Sequence, residues 1–176
     1  MAVLIEGISV VVKVQSMLDA FDRDWNAVFD VIPNKTLCSD TELARIGFMT
    51  PVDVEAFVNV LQIHGLQFIE EGRCVDIVVV DQMLGVINLC DWVDFGVYEI
   101  APGQLIAACR LVDSEFDDIQ VPDDWSYSRS LSRTSMFVPS GQMDKTMKFL
   151  RNEGGVDVYE NLMTGREVYV GRPSIN

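Results

Sequence analysis

Six carboxylates crowd into twelve residues of this chain: Asp113, Glu115, Asp117, Asp118, Asp123 and Asp124, followed at once by Trp125. Carboxylates at this density can hold a hard cation, support metal-assisted hydrolysis, or present a negative field to a basic partner. The spacing invites the first. Asp113, Glu115, Asp117 and Asp124 fall at positions 1, 3, 5 and 12 of a twelve-residue window, as in a calcium loop. Position 6, however, is Asp118 where the sharp turn of such a loop demands glycine, and Pro122 stands where the exiting helix should begin. The segment therefore reads as a solvated acidic loop. An aromatic residue ringed by carboxylates, as Trp125 would be if exposed, has the composition of an anchor for a basic protein; folded back, it would instead belong to the core.

Other chemistry is removed by subtraction. His64 is the single histidine, so a Ser-His or Cys-His nucleophile pair would have to use it, and a two-histidine zinc site cannot form within one chain. It stands one residue before Gly65 at a helix end, which points to a structural role. Cys38, Cys74, Cys90 and Cys109 form no C-x-x-C pair, and most lie in apolar surroundings. Buried free thiols in a reducing compartment follow, and with them a cytoplasmic location. No glycine pattern makes a phosphate-cradling loop, and Gly154-Gly155 follows an expected helix rather than preceding one. Asp76 with Asp81, and Asp91 with Asp94, could in principle hold a divalent metal. Residues five apart on a strand face opposite sides, so these acids are expected to end strands and face water. Lys145, Lys148 and Arg151 would share one face of a helix, meeting solvent or the chain's own acidic belt. No cofactor and no enzymatic activity are expected.

The elements that must position the loop follow from hydropathy and punctuation. The fold class expected is α+β, a single domain over residues 1–176 with an antiparallel or mixed sheet and helices packed mainly on one face. Ile8–Val14 reads as a strand. Ser16 with Asp19 opens a helix along Leu18, Phe21, Trp25 and Val28 that Pro33 stops, and a short helix follows Asp40 over Leu43 and Ile46. The clearest helix starts at Thr50 as N-cap, with Pro51 at its first position and Asp53 in its first turn. It carries Val54, Phe57, Val58 and Leu61 on one stripe and ends at Gly65. A hairpin spans Leu66–Ile69 and Arg73–Asp81, turned at Glu70-Glu71-Gly72, and within it Ile77-Val78-Val79-Val80 is apolar enough to be covered on both faces. Val86–Leu89 and Trp92–Ile100 read as strands, Gln104–Val112 as strand or helix. A helix is expected over 142–152, then a hairpin of Val156–Glu160 with Glu167–Val170. Residues 126–135, six of them Ser or Thr, suggest a flexible linker or a solvent-facing edge strand.

Charge sets the functional expectation. Residues 51–125 hold fifteen Asp or Glu against Arg73 and Arg110, while the whole chain carries −14. Such a field opposes direct nucleic-acid binding, which needs a basic footprint. The longest apolar runs fall far short of the roughly 20 residues of a membrane span. The chain is expected to be an acidic protein-binding module docking on a basic protein partner, as immunity or inhibitor proteins neutralise a toxin or nuclease. Asp113, Glu115, Asp117, Asp118, Asp123, Asp124 and Trp125 are its candidate contacts. The alternatives are a carboxylate-based metal-dependent hydrolase, or a non-catalytic subunit whose acids serve solubility.

Overall fold

The computed structural model describes residues 1–134, 147–153, 156–161 and 167–171. In chain order these form β1 (Ala2–Ile5), β2 (Ile8–Lys13), α1 (Val14–Ala20), α2 (Trp25–Val31), β3 (Cys38–Ser39), β4 (Leu43–Phe48), α3 (Pro51–Ile63), β5 (Ile69–Glu70) and β6 (Arg73–Cys74). There follow β7 (Ile77–Asp81), β8 (Gly85–Val86), β9 (Val93–Ala101), β10 (Gln104–Leu111), β11 (Ile119–Gln120), a single 3-10 turn at Tyr127–Arg129, and α4 (Leu131–Thr134). β12 (Met147–Glu153), β13 (Val156–Asn161) and β14 (Glu167–Gly171) complete the series as an antiparallel sheet of their own. The class is α+β, as the sequence predicts.

Strand alternation explains the layering. β3-β4-β2-β7-β8 make a five-stranded antiparallel sheet whose central strands are buried on both faces. Ile8, Val10 and Val12 of β2, with Ile77 and Val79 of β7, pack against Met17, Phe57 and Leu61 of the helices. Their neighbours Val11, Val78 and Val80 point the other way, into a second core shared with β1 and β10. The unalternating Ile77–Val80 run is thus a strand sandwiched between layers, with each successive side chain serving a different core. Burial of each such side chain contributes about 1.5–3 kcal/mol.

The second sheet has the order β11-β1-β10-β9, with β11 parallel to β1 and the other pairs antiparallel. Phe95 on one face of β9 packs toward Gly85 of the five-stranded sheet. The opposite face lies under the acidic segment: Tyr98 stacks on Phe116 at 4.4 Å between ring centroids, and α4 packs on β10. The chain changes sheets between β1 and β2 at Gly7, whose φ of +61° favours glycine; a Cβ there would also meet the Phe48 carbonyl oxygen. Gln82 fixes this crossing, its Oε1 accepting from Gly7 N–H and its own N–H donating to Gly7 O, both at 2.9 Å.

Helix α3 carries the expected signals. Thr50 Oγ1 accepts from Asp53 N–H, Val54, Phe57, Val58 and Leu61 are buried, and Gly65 adopts a φ of +100°. The β5–β6 hairpin turns at Glu71-Gly72, though its second arm is interrupted before β7. Gln104–Leu111 resolves as strand.

Four expectations are corrected. The helix assigned from Ser16 to Pro33 is two helices, separated where Asp22 and Arg23 take positive φ; Asp24 caps the second by accepting from Asn26 N–H. Ser16 donates its hydroxyl to Asp76 Oδ1 and caps nothing. Leu43–Phe48 is a strand, because Asp40 Oδ1 accepts from Glu42 and Leu43 N–H and turns the chain into the ladder with β2. Within 142–152, residues 147–152 belong to β12, and 142–146, Lys145 included, lie outside the described residues. A ladder with β13 therefore replaces the helical face proposed for Lys148 and Arg151. In the segment 126–135, residues 127–129 and 131–134 form helical turns rather than an edge strand, with Ser130 and Ser132 buried, and Ser135 lies outside the described residues.

Candidate binding surface on the acidic loop

The acidic loop leaves β10 through a tight turn. Ser114 N–H and Oγ both donate to Leu111 O, and Asp113 takes a left-handed φ of +66°, a conformation that Asp tolerates better than most residues. Arg110 spans the base of the turn, donating to Ser114 O at 3.0 Å and to Asp94 Oδ2 at 3.4 Å. The loop then meets β1, where Ala2 N–H donates to Asp118 O and Met1 N donates to Glu115 O. The Met1 ammonium lies 2.9 Å from Asp117 Oδ1 and, as a hydrogen-bond donor, holds that carboxyl below its usual range. Beyond β11, Trp125 N–H donates to Pro122 O, and Asp124 is again left-handed, with its carbonyl accepting from Arg129.

The acids themselves face outward. Asp113, Glu115, Asp117, Asp118, Asp123 and Asp124 are all exposed. Among the described residues ion pairs join Met1 to Asp117, Arg23 to Asp19, Arg73 to Asp91 and Arg110 to Asp94, so the carboxylates of five of the six loop acids have no cationic group within 4 Å. Trp125 behaves differently from its six neighbours. It is half-buried against the second core, and its indole N–H donates to Glu6 Oε1 at 3.2 Å. Ser132 adds two donors to the same oxygen, from its N–H at 3.2 Å and its hydroxyl at 2.7 Å.

Glu6 is the residue bracing this segment that sequence reasoning missed. It lies 119 positions from Trp125 and 126 from Ser132, so no local pattern could reveal it. Its backbone carbonyl in turn accepts from Arg45 Nη2 at 2.7 Å. Arg45 is buried between the sheets, where Nε also donates to Ser9 Oγ at 2.8 Å and Nη1 to Thr36 O at 3.2 Å. Burial lowers its pKa from the ordinary arginine value. The guanidinium lies across Gly47, at a place where a Cβ would collide with it. A continuous polar chain therefore runs from β4 through Arg45 and Glu6 to Trp125 and α4, and it fixes the acidic segment against the body of the fold.

Where the loop begins, it borders a cavity of about 560 Å³ lined by Lys13, Glu42, Asp91, Trp92, Leu111 and Asp113 among others. Lys13 Nζ sits 4.7 Å from the centroid of the Trp92 ring, and the indole N–H donates to Cys74 O. Of the candidate carboxylate pairs, Asp76 accepts from Ser16 and from Gln67 N–H, Asp81 caps the turn after β7, and Asp91 and Asp94 pair with different arginines. Asp81 ends its strand as expected; Asp76, Asp91 and Asp94 hold local structure. Among the described residues no three His, Cys, Asp or Glu side chains converge in a way that could hold a metal ion. His64 closes α3, its Nδ1 2.9 Å from Val60 O and its ring stacked on Phe21. No described helix is long and apolar enough to cross a membrane.

No family model matches this chain, and neither a curated protein nor a solved structure does.

Proposed function

We propose that this chain is an acidic protein-binding module that docks on a basic partner through the 113–124 loop, in the manner of an inhibitor or immunity protein acting in a cytoplasm. The observation that carries the reading is the set of exposed loop carboxylates, five of them without a cationic group within 4 Å among the described residues, on a backbone braced at both ends. Like charges held close together raise the free energy of the unbound protein, and a basic surface that meets them relieves it. Bracing also lowers the entropy lost on binding, because the loop need not be ordered by its partner. The adjoining cavity carries Glu42 and Asp113 on its wall, partly offset by Lys13, while Asp91 is paired with Arg73. Trp125 supports this surface from beneath rather than from its face.

The test is a pull-down from native lysate at low salt, eluted along a salt gradient, run beside the variant Asp113→Asn, Glu115→Gln, Asp123→Asn. One basic protein, captured stoichiometrically by the native chain and released at lower salt from the variant, is the expected result. Identical elution from both chains would place the interface elsewhere. A scatter of basic proteins lost at slight salt would make the acidity a matter of solubility alone.

A further inference from the structure

Cys74 and Cys90 are brought together by three separate ties that flank them. Cys74 N–H donates to Leu89 O at 2.8 Å, Arg73 pairs with Asp91, and the Trp92 indole N–H donates to Cys74 O at 3.1 Å. The residue on each side of Cys90, and the one after, is thereby bonded to Cys74 or its neighbour. The two thiols are free, Cys74 buried and Cys90 half-exposed. We infer that Cys74 and Cys90 form an oxidation site that closes to an intramolecular disulfide, fastening β6 to the segment carrying Asp91 and Trp92 at the cavity. This inference stands independently of any partner.

The chemistry requires a disulfide oxidant, for which oxidised glutathione serves. The thiolate of Cys90, the more accessible thiol, attacks one sulfur of the oxidant, forming a mixed disulfide and expelling one glutathione thiolate. The Cys74 thiolate then attacks the Cys90 sulfur and expels the second. The two protons released by the protein thiols end, through water, on the two expelled glutathione thiolates, which carry the two electrons away as reduced glutathione. Both thiols are slow to ionise. Burial pushes Cys74 up to about 11, with the charge of Cys90 and a hydrogen bond between the two side chains adding to it, and burial raises Cys90 as well. The three flanking ties hold the two residues against each other, while their raised pKa values make the reaction slow at neutral pH and faster in base. Near neutrality the thiolate fraction, and with it the first step, should rise about tenfold per pH unit.

The experiment incubates the native protein with oxidised glutathione, traps remaining thiols by alkylation, and maps peptides without reduction. A linked Cys74–Cys90 peptide, with Cys38 and Cys109 alkylated only after unfolding, is the expected product. Cys74→Ser should halt at a glutathione adduct on Cys90, and the accompanying change in Trp92 fluorescence should appear in the native chain alone. Accumulation of that adduct in the native chain, a Cys90–Cys109 linkage, or a bond between two chains would each overturn the assignment.

Discussion

Arg45 and the acidic loop treat charge in opposite ways. Arg45 is one cation buried in the interior, where it donates to three neutral oxygens: Ser9 Oγ, Thr36 O and Glu6 O. The loop carries six anions in water, and five of them have no counter-charge within 4 Å among the described residues. Removing a buried charge strands its acceptors, whereas removing an exposed one lets water take its place. Stability should therefore depend on Arg45 and barely on the loop, while association should show the reverse. Glu6 joins the two regions, since its carbonyl serves Arg45 and its carboxylate serves Trp125 and Ser132.

The contrast is sharpened by a graded series of substitutions. Arg45→Ala should cost the most, about 3–5 kcal/mol by urea denaturation, through the lost packing and three orphaned acceptors. A loss below about 1 kcal/mol would show that water replaces the guanidinium and that the interior is not dry there. Gly7→Ala comes next, at about 1–3 kcal/mol, because a positive φ and the Phe48 carbonyl both oppose a Cβ. An unchanged midpoint would mean that the crossing between sheets relaxes freely. Trp125→Phe keeps the packing and removes one bond to Glu6, for a loss of about 1 kcal/mol. Faster amide exchange over residues 119–134, with the five-stranded sheet unaffected, is its signature; exchange spread evenly would contradict the anchoring role. Smallest of all, Asp113→Asn with Glu115→Gln and Asp123→Asn should leave the urea midpoint where it is, and a clear drop would show that these acids hold the fold.

How much of this was legible in the sequence depended on whether the signal was local. Helix α3 was readable because Thr50, Pro51, the apolar stripe and Gly65 all lie within one stretch and agree. The Ile77–Val80 run was readable because a strand buried on both faces has few alternatives. β4 was misread for the related reason that a strand buried at all six positions has no alternation, and Leu43 with Ile46 mimics a helical step. The break between α1 and α2 rests on two non-glycine residues with positive φ, which composition does not announce. The alternating serines at 126–134 imitated an exposed strand, yet Ser132 is buried because Glu6 awaits it across the chain. The outward-facing loop acids were legible from charge alone; the inward turn of Trp125 was not.

The central claim is that the position of the acids, not their sum, makes the binding surface. The direct test compares two triple variants of equal charge in binding the captured basic protein across a salt series. One carries Asp113→Asn, Glu115→Gln and Asp123→Asn; the other carries Asp30→Asn, Glu55→Gln and Glu70→Gln at exposed sites on α2, α3 and β5. Weaker affinity and a shallower salt dependence in the loop variant, with the second variant close to native, is the result that the account predicts. Equal weakening in both would show that net charge alone drives association and would contradict it.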